Sequence, residues 1–413
     1  MEGLQPIYRR VAGIDVHRML HVVTVIIENT DGTIEQTSRE FGGFKRDCRA
    51  LAAWLAQCNV ELVVMESTGI YWKSLYTYIE RAGINAWVVN AHRVKHVPGR
   101  KTDISDSQWL AVLARFGLVR ASFIPPQDLR ELRLLSRYRR KLATMHASEV
   151  NRLHKILDDA GIKLGGVVSD INGVSAREMV AGLIKGVGIE QLLDMTRGAL
   201  KFKHDDLQAA LDGDLTSRHM FVLRHLHAHI DTLQRELAEL DAYILGAMVP
   251  YQWAHRLLQT IPGIDQIASA LILIEIGDDM TRFGCADRLA AWAALCPGND
   301  ESAGKRKSGR TGKGNTIIRT VLCECANAAR MTKSSLAAKY KSLMVRKTHK
   351  KAIIALAHKM IRLIYLLLTR KEAYHDPHVN YDEMSARKNA PRWIKQLKLI
   401  GKWPDKKTAP ANM

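Results

Sequence analysis

The sequence lacks the long apolar run that a membrane-spanning helix requires. No uninterrupted apolar stretch of about 18 residues occurs in it, and the nearest one, residues 352–368, is broken by His358, Lys359 and Arg362. No signal peptide precedes the first predicted strand. We therefore expect a cytoplasmic protein with no membrane partner.

Cysteine is scarce, and its spacing argues against a structural zinc site. The six cysteines follow no tetrahedral ligand pattern, and Cys323 and Cys325 lie too close together for a CxxC pair. We predict that all six are reduced thiols, as is usual in the cytosol.

Acidic residues are outnumbered by basic ones. The chain has 61 Lys and Arg against 42 Asp and Glu, which gives a net charge of +19. A positive charge of this size indicates a negatively charged binding partner. Nucleic acid is the first candidate and an anionic membrane surface the second. With 413 residues, 47% of them hydrophobic, the chain is long and apolar enough for two or three folded domains.

Strand and helix patterns alternate over residues 9–116. The predicted strands are 11–16, 21–27, 33–41, 60–67 and 85–90, and the predicted helices are 44–58, 71–83 and 103–116, the last with Asp103 as a possible N-cap. Three strands joined by short links and followed by alternating helices and strands predict a mixed sheet covered by helices.

Helical patterns dominate the remainder of the chain. Pro125 and Pro126 mark a boundary before one long polar helix, 127–160. A second long helix has apolar residues at three- and four-residue spacing, which predicts a coiled-coil seam. The seam residues are Leu223, Leu226, Ile230, Leu233, Leu237, Leu240 and Ile244. This seam can pair with helix 127–160 of the same chain or with another subunit.

Four segments follow from these patterns. We predict an α/β domain at 1–122, a helical coiled-coil arm at 123–250, an all-helical domain at 251–370, and a basic, weakly ordered tail at 371–413 with a possible helix at 392–400. The predicted fold class is therefore α/β plus α.

Four carboxylates are the strongest candidates for a catalytic site. Asp15 and Glu66 each end an apolar strand, where a charged residue is hard to explain by packing. Asp103 and Asp106 lie three apart at the head of a predicted helix, although acids are also common at helix N-termini. Converging acids repel one another unless cations neutralise them, and oxygen-only sites suit Mg²⁺ or Mn²⁺. Three nearby histidines can transfer protons or lie on the surface: His17, His92 and His96.

A short turn, Pro262-Gly263-Ile264, joins two apolar helical patterns within residues 257–278. A helix-hairpin-helix with Gly263 at its turn can bind a nucleic-acid phosphate through backbone N–H groups. Asp265 replaces the second glycine that such elements usually have, and its charge repels phosphate. A hairpin that serves packing alone is therefore an equal alternative.

A basic, glycine-rich loop lies between Pro297 and Ile317. Residues 300–351 hold fourteen Lys or Arg and three acids, so a polyanion should bind there through charge-assisted hydrogen bonds. Ser302 and Ser308 lie in this loop, either as phosphate-binding hydroxyls or as a nucleophile favoured by nearby cations. The candidate nucleic-acid ligands are Lys305, Arg306, Lys307, Arg310, Lys313 and Arg319.

Six segments resemble, in order, the sequence blocks of the DEDD transposases of bacterial insertion sequences, which are related to the Piv-type DNA invertases. The segments are GIDVH, VVMESTGIYW, NAHRVKHVPGRKTDISD, QTIPGID, RFGCADRLAAWAALCP and ESAGKRKSGRTGKGNTIIR. The resemblance covers about 10–116 and 255–370. The chain differs at Ser107, where the family usually has Ala, and at Ala303, where its SGGK-like segment has Gly.

The resemblance implies a RuvC-like first domain, an RNase H fold, in which Asp15, Glu66, Asp103 and Asp106 hold Mg²⁺ or Mn²⁺. It implies that Ser302 is the nucleophile and forms a phosphoserine link to DNA in a site completed by docking of domains or subunits. Double-stranded DNA, from the element ends and the target, and a structured noncoding guide RNA are the implied partners. We also expect a homo-oligomer, either a dimer or a tetramer.

Two other functions are compatible with the same residues. In a RuvC-like hydrolytic nuclease or Holliday junction resolvase, water attacks the phosphate and Ser302 only binds it. In a scaffold that binds nucleic acid without activity, the acids have no catalytic role. Ser308 is the alternative nucleophile if a serine attacks.

Overall fold

The structure, a computed structural model, describes residues 5–66, 69–90, 105–297, 300–302, 305–308, 311–312 and 314–402. It divides into two units, Met1–Gln127 and Asp128–Met413. Among the described residues, the first unit combines a sheet with helices, and the second is helical apart from one small strand pair. The predicted fold class, α/β plus α, is confirmed.

A mixed five-stranded sheet forms the first unit. Its strands are β1 Arg10–Val16, β2 Leu20–Glu28, β3 Ile34–Gly42, β4 Leu62–Glu66 and β5 Asn85–Val89. The first three strands pair antiparallel, and β4 and β5 extend the sheet in parallel on the other side of β1. The resulting order, β3-β2-β1-β4-β5, places β1 at the centre with β4 beside it.

Among the residues that the structure describes, three helices cover this sheet, and each face has its own core. They are α1 Lys45–Gln57, α2 Trp72–Arg81 and α3 Asp106–Arg115. Ile14 and Met65 of the central strands pack in one core with α1 and α2. Val11 and Val64 pack in the other core with α3. Strands that are buried on both sides therefore read as continuous apolar runs, because successive side chains point to opposite faces.

Helix α3 begins later than predicted. Its N-cap is Ser105, whose hydroxyl accepts a hydrogen bond from the backbone N–H of Gln108 at 3.3 Å. The prediction that Asp103 caps this helix is wrong, because serine at 105 is an equally good cap nearer to the apolar face. Asp103 itself lies outside the described residues.

Two long helices, α4 Gln127–Asp159 and α9 Ser217–Gly246, bracket a group of short ones. Leu157 of α4 and Leu223 of α9 share a core with the apolar side chains of that group. The short helices are α5 Leu164–Val167, α6 Val174–Ile184, α7 Ile189–Leu193 and α8 His204–Leu211.

Helix α9 pairs with α4 within the chain. Most seam residues of α9 are buried, while Leu237 and Leu240 are half-buried. Three ion pairs join the two helices, and their order shows that α4 and α9 run antiparallel: as the residue number rises along α4, the number of the partner on α9 falls. The pairs are Arg139 with Asp241, Glu149 with His229 at 3.8 Å, and Asp159 with His219 at 3.0 Å. Of the two alternatives for this seam, the structure therefore has the intramolecular one.

Six further helices follow: α10 Gln252–Gln259, α11 Gln266–Ile276, α12 Ala286–Trp292, α13 Thr316–Ala329, α14 Ser335–Met344 and α15 His349–Arg370. Helix α15 packs against α12, α13 and α14. It is the one helix of the described chain that is long and apolar enough to cross a membrane, and half of its most apolar 18-residue window is buried within the structure. A core helix has the same composition, so this helix is weak support for a membrane span.

The tail has more structure over 371–402 than its composition predicted. A helix, α16, runs from Tyr381 to Leu399, whereas the predicted helix was 392–400. Before it, the carboxylate of Asp376 accepts a hydrogen bond from the backbone N–H of Ser335 at 2.9 Å and another from the Ser335 hydroxyl. Composition underestimates the order of such a segment, because a specific part-buried contact such as the one between Asp376 and Ser335 can hold it in place.

Candidate active site

Asp15 lies near the end of β1 on the face that α3 covers. Residues 11, 13 and 15 share that face because strand side chains alternate, and Val11 belongs to the core on the α3 side. The Asp15 side chain is 24% exposed, and its Oδ2 lies 3.1 Å from Nε2 of His17. A half-buried carboxylate at a strand end can therefore reach a ligand at this edge of the sheet.

Glu66 lies beside Asp15. Strands β1 and β4 run parallel with Ile14 opposite Met65, so the next residue of each strand, Asp15 and Glu66, are neighbours. Val64 belongs to the core on the α3 side, so Glu66, two residues later, faces α3 as well. Both acids therefore share one edge and one face of the sheet.

Gly13 brings α3 very close to β1. A Cβ at this position would lie 2.0 Å from the carbonyl oxygen of Ser107 and 2.3 Å from the backbone nitrogen of Ala111. Glycine weakens the interior of a strand unless another backbone approaches closely, as α3 does here. A glycine within an apolar strand was the signal from which this contact was predictable.

The N-terminus of α3 points to the edge that carries the two acids. At the other end of the helix, the carbonyl of Arg115 accepts from the backbone N–H of Ile7 at 2.9 Å, and its guanidinium binds Glu28 at 2.7 Å. The end of α3 thus lies beside the start of β1, and the two elements run antiparallel. Asp106, the first residue of α3, lies toward the end of β1.

Polar side chains hold the first turn of α3 on the sheet. Oγ of Ser107 lies 2.8 Å from Oγ1 of Thr24, which lies 2.9 Å from Oγ of Ser38. Nε2 of Gln108 donates to Oε1 of Gln36 at 3.1 Å. Ser107 therefore anchors the helix that bears Asp106.

Gly13→Ala is expected to destabilise the protein by about 1–3 kcal/mol, the usual cost of overpacking, because the new methyl group would displace α3. Urea unfolding followed by circular dichroism measures this change. Gly166→Ala is the matched control, because nothing lies within 4 Å of its Cβ position. Equal stability of the two variants would contradict the close seating of α3 on Gly13.

The structure brings together two of the four predicted metal ligands. Asp15 and Glu66 are adjacent, Asp106 is exposed at the start of α3, and Asp103 lies outside the described residues. Within the described part of the chain, no group of three or more His, Cys, Asp or Glu side chains is arranged to hold a metal ion. All four predicted donors are carboxylate oxygens, so their chemistry fits Mg²⁺ or Mn²⁺.

Ser302 and Ser308 lie on a small antiparallel hairpin of two strands, β6 Asp300–Ser302 and β7 Lys305–Ser308. Ser302 pairs with Lys305, and Ser308 pairs with Asp300. The two serines therefore lie at opposite ends of the hairpin, and Ser302 is at the end where the chain reverses.

Three of the predicted nucleic-acid ligands form most of β7: Lys305, Arg306 and Lys307. Arg310 and Lys313 lie outside the described residues. Arg319 lies on α13, and its Nη1 donates to Oγ1 of Thr311 at 3.3 Å. Their role in binding nucleic acid stays a prediction.

The hairpin between α10 and α11 packs closely against α13. Gly263 has φ +88°, and a Cβ there would lie 2.5 Å from the backbone nitrogen of Ala329 and 2.5 Å from the carbonyl oxygen of Cys325. Asp265 caps α11 by accepting from the backbone N–H of Ala268 at 2.7 Å. These contacts favour the packing alternative over phosphate binding at Gly263.

Two family models match the sequence. The DEDD transposase model of the IS110 type matches residues 12–162. The model described as the transposase IS116/IS110/IS902 family matches residues 255–341. The first match contains all four acids, and the second contains both serines.

Curated relatives and one solved structure are also similar to this chain. The transposase for insertion sequence element IS1111A of Coxiella burnetii is 26% identical over 331 residues, 78% of this chain and 81% of the relative. The putative transposase y4qE of Sinorhizobium fredii is 24% identical over 325 residues, 76% of this chain and 70% of the relative. The RuvC structure of Thermus thermophilus matches with a TM-score of 0.23 and 14% identity, covering 27% of this chain and 99% of that one.

Proposed function

We propose that this chain, which belongs to the DEDD transposase family of IS110-type insertion sequences, cuts and rejoins DNA with a carboxylate site and a serine nucleophile. Family membership makes it a DNA transposase. The carboxylates are Asp15, Glu66, Asp103 and Asp106, and the nucleophile is Ser302. The adjacency of Asp15 and Glu66 on the α3 side of the sheet is the observation that carries this proposal.

The four acids would hold divalent cations beside the scissile phosphate. Mg²⁺ or Mn²⁺, held by these four residues, would neutralise their charge and polarise the phosphodiester. Gly13 and Ser107 keep the first turn of α3 on the sheet, so Asp106 is presented toward the same end of β1 as Asp15. A rigid frame of this kind lowers the entropic cost of aligning the reacting groups.

Ser302 performs the covalent step. Its Oγ attacks phosphorus, the bond from phosphorus to one DNA end breaks, and that end leaves as a hydroxyl after taking a proton. The proton of the serine hydroxyl passes to a base or to water. The phosphoserine ester conserves the energy of the broken bond, so a DNA hydroxyl can displace the serine and complete strand exchange without hydrolysis.

Basic residues of the hairpin bind the DNA and RNA backbones, with Lys305, Arg306 and Lys307 on β7 as the main set. Together with Arg310, Lys313 and Arg319 they would attract any nucleic acid without reading its sequence. Sequence recognition would then come from base pairing by a structured RNA of the element. Transposition on chromosomal DNA also suits a cytoplasmic homo-oligomer.

A reconstituted reaction tests this function. Purified protein is mixed with Mg²⁺, DNA carrying the element ends, a target DNA, and the transcript of the untranslated segment beside the gene. We expect joined products only in the complete mixture, and we expect a change in the pairing segment of the RNA to redirect joining. Equal joining without RNA would contradict the guide role, and absence of cleavage in every mixture would contradict the enzymatic proposal.

A further inference from the structure

Glu275, on α11, is a fully buried charged residue outside the acid site. Its side chain has 0% exposure, and burying an unpaired carboxylate is very unfavourable. Replacement of such a buried ion pair by apolar residues of similar volume is often neutral or stabilising, so its presence points to a need for fixed geometry.

Two arginines of α4 neutralise Glu275. Nε of Arg133 lies 3.2 Å from Oε2, and Nη2 of Arg137 lies 3.3 Å from Oε1, although outside hydrogen-bond geometry. Arg133 also donates to the carbonyl oxygens of Ile274 at 3.3 Å and Glu275 at 2.6 Å, the end of α11. Burial lowers the pKa of Arg133, while the charge of Glu275 raises it.

Asn315 is the third partner of Glu275. Its Nδ2 donates to Oε2 of Glu275 at 2.6 Å. Its Oδ1 caps α13 by accepting from the backbone N–H groups of Ile317 at 3.0 Å and Ile318 at 3.3 Å. One side chain thus joins the buried carboxylate to the first turn of α13.

Asn315 is also the residue at which the chain returns from the serine hairpin to the helices. Its backbone N–H donates to the carbonyl of Trp292 at 3.0 Å. A Cβ at the preceding Gly314 would lie 2.4 Å from the same carbonyl oxygen, so the chain passes directly over the end of α12. Closer to the hairpin, Pro297 and Thr311 form a β-bridge. Asn315 therefore fixes the chain at the point where it leaves the hairpin and enters α13.

We infer that Glu275 and Asn315 are positioning residues for the serine hairpin, β6–β7, and that their hydrogen bond fixes the hairpin relative to α4 and α11. This inference deepens the proposed function and rests on it for the role of Ser302. Neither residue is expected to touch the reacting phosphate. Their effect is on where the hairpin is held, so they change the rate of attack more than DNA affinity.

Hydrogen exchange tests the positioning without any DNA. Asn315→Ser keeps a good N-cap but loses the amide that binds Glu275, whereas Asn315→Ala loses both. We expect amides of residues 300–308 to exchange roughly 10-fold faster in Asn315→Ser, as expected for loss of a hydrogen bond to a charged group. Exchange at the wild-type rate in this folded variant would overturn the inference.

A swap of the two partners adds a test by rescue. Asn315→Asp alone places two carboxylates 2.6 Å apart, whereas Glu275→Gln with Asn315→Asp restores a hydrogen bond in the reverse direction. At saturating DNA, we expect the single variant to form the protein–DNA adduct roughly 100-fold more slowly, the effect of a displacement of about 1 Å. The double variant should recover much of this loss, and in both variants DNA affinity should change far less than the rate.

These experiments distinguish a failure of the positioning role from a failure of the serine mechanism. A double variant no faster than the single one, or a loss of DNA affinity that matches the loss of rate, would overturn the positioning role. A wild-type protein that forms no adduct would overturn the serine mechanism instead, and hydrogen exchange of residues 300–308 would then decide the positioning alone.

Discussion

Asp15→Asn is expected to abolish DNA cleavage and leave the fold intact. Asparagine has nearly the same shape but no charge, so it cannot neutralise a divalent cation in the way a carboxylate does. We expect the cleavage rate to fall roughly 1,000-fold, the scale of losing one electrostatic contact to the transition state. The measurement is cleavage of radiolabelled element-end DNA in Mg²⁺.

The stability of this variant separates a catalytic acid from a structural one. Asp15 and Glu66 are adjacent carboxylates, so removal of one charge relieves repulsion, and thermal unfolding in the absence of metal should occur at the same or a higher temperature. Glu35→Gln is the control. Glu35 is an exposed acid on β3, and its strand partner, Ile27, lies at the end of the sheet where β1 begins, away from Asp15. Full cleavage by Asp15→Asn, or a matching loss in the control, would contradict the role of Asp15.

Ser302→Ala is expected to eliminate the covalent protein–DNA adduct without weakening DNA binding. The serine hydroxyl supplies the oxygen of the phosphoserine bond, and the methyl group of alanine cannot form that bond. We expect adduct on denaturing gels to drop below detection, a loss of at least roughly 1,000-fold, while the dissociation constant for DNA stays within about twofold. A DNA substrate with an interrupted strand traps the adduct for this measurement.

Ser308→Ala is the matched control on the same hairpin. Ser308 pairs with Asp300 at the other end of the strands, so its loss should leave adduct formation near the wild-type rate. Loss of adduct in Ser308→Ala but not in Ser302→Ala would reassign the nucleophile. Cleavage of DNA by the wild-type protein with no adduct at any time would support the hydrolytic mechanism in its place.

The first unit could be predicted largely from its sequence. Apolar runs gave the strands, because a sheet covered on both faces buries every residue of its central strands. The acids at the ends of two such runs, Asp15 and Glu66, then fell at one edge because β1 and β4 are parallel neighbours. The pattern did not predict how closely α3 packs on β1, because this distance depends on Gly13 and on the hydroxyl contacts of Ser107.

The second unit was less predictable, because its specific contacts are polar and distant in sequence. The apolar spacing of α9 predicted a seam but not the helix that packs against it. Ion pairs such as Arg139 with Asp241 show that this helix is α4. Asn315 read as part of a basic loop, and nothing in its neighbourhood indicated a buried acid forty residues earlier. Gly263 has the spacing of a phosphate-binding turn, yet its backbone packs on α13.

If separate stretches of the first unit gather carboxylates around divalent cations, crystals soaked in Mn²⁺ should show the metal beside them in an anomalous-scattering map. We expect a peak about 2.1 Å from carboxylate oxygens of both Asp15 and Glu66, with Asp103 or Asp106 completing the site. We also expect this peak to be lost in Asp15→Asn crystals. A saturating soak that gives no peak at these residues, or a peak that persists in the variant, would contradict this metal site.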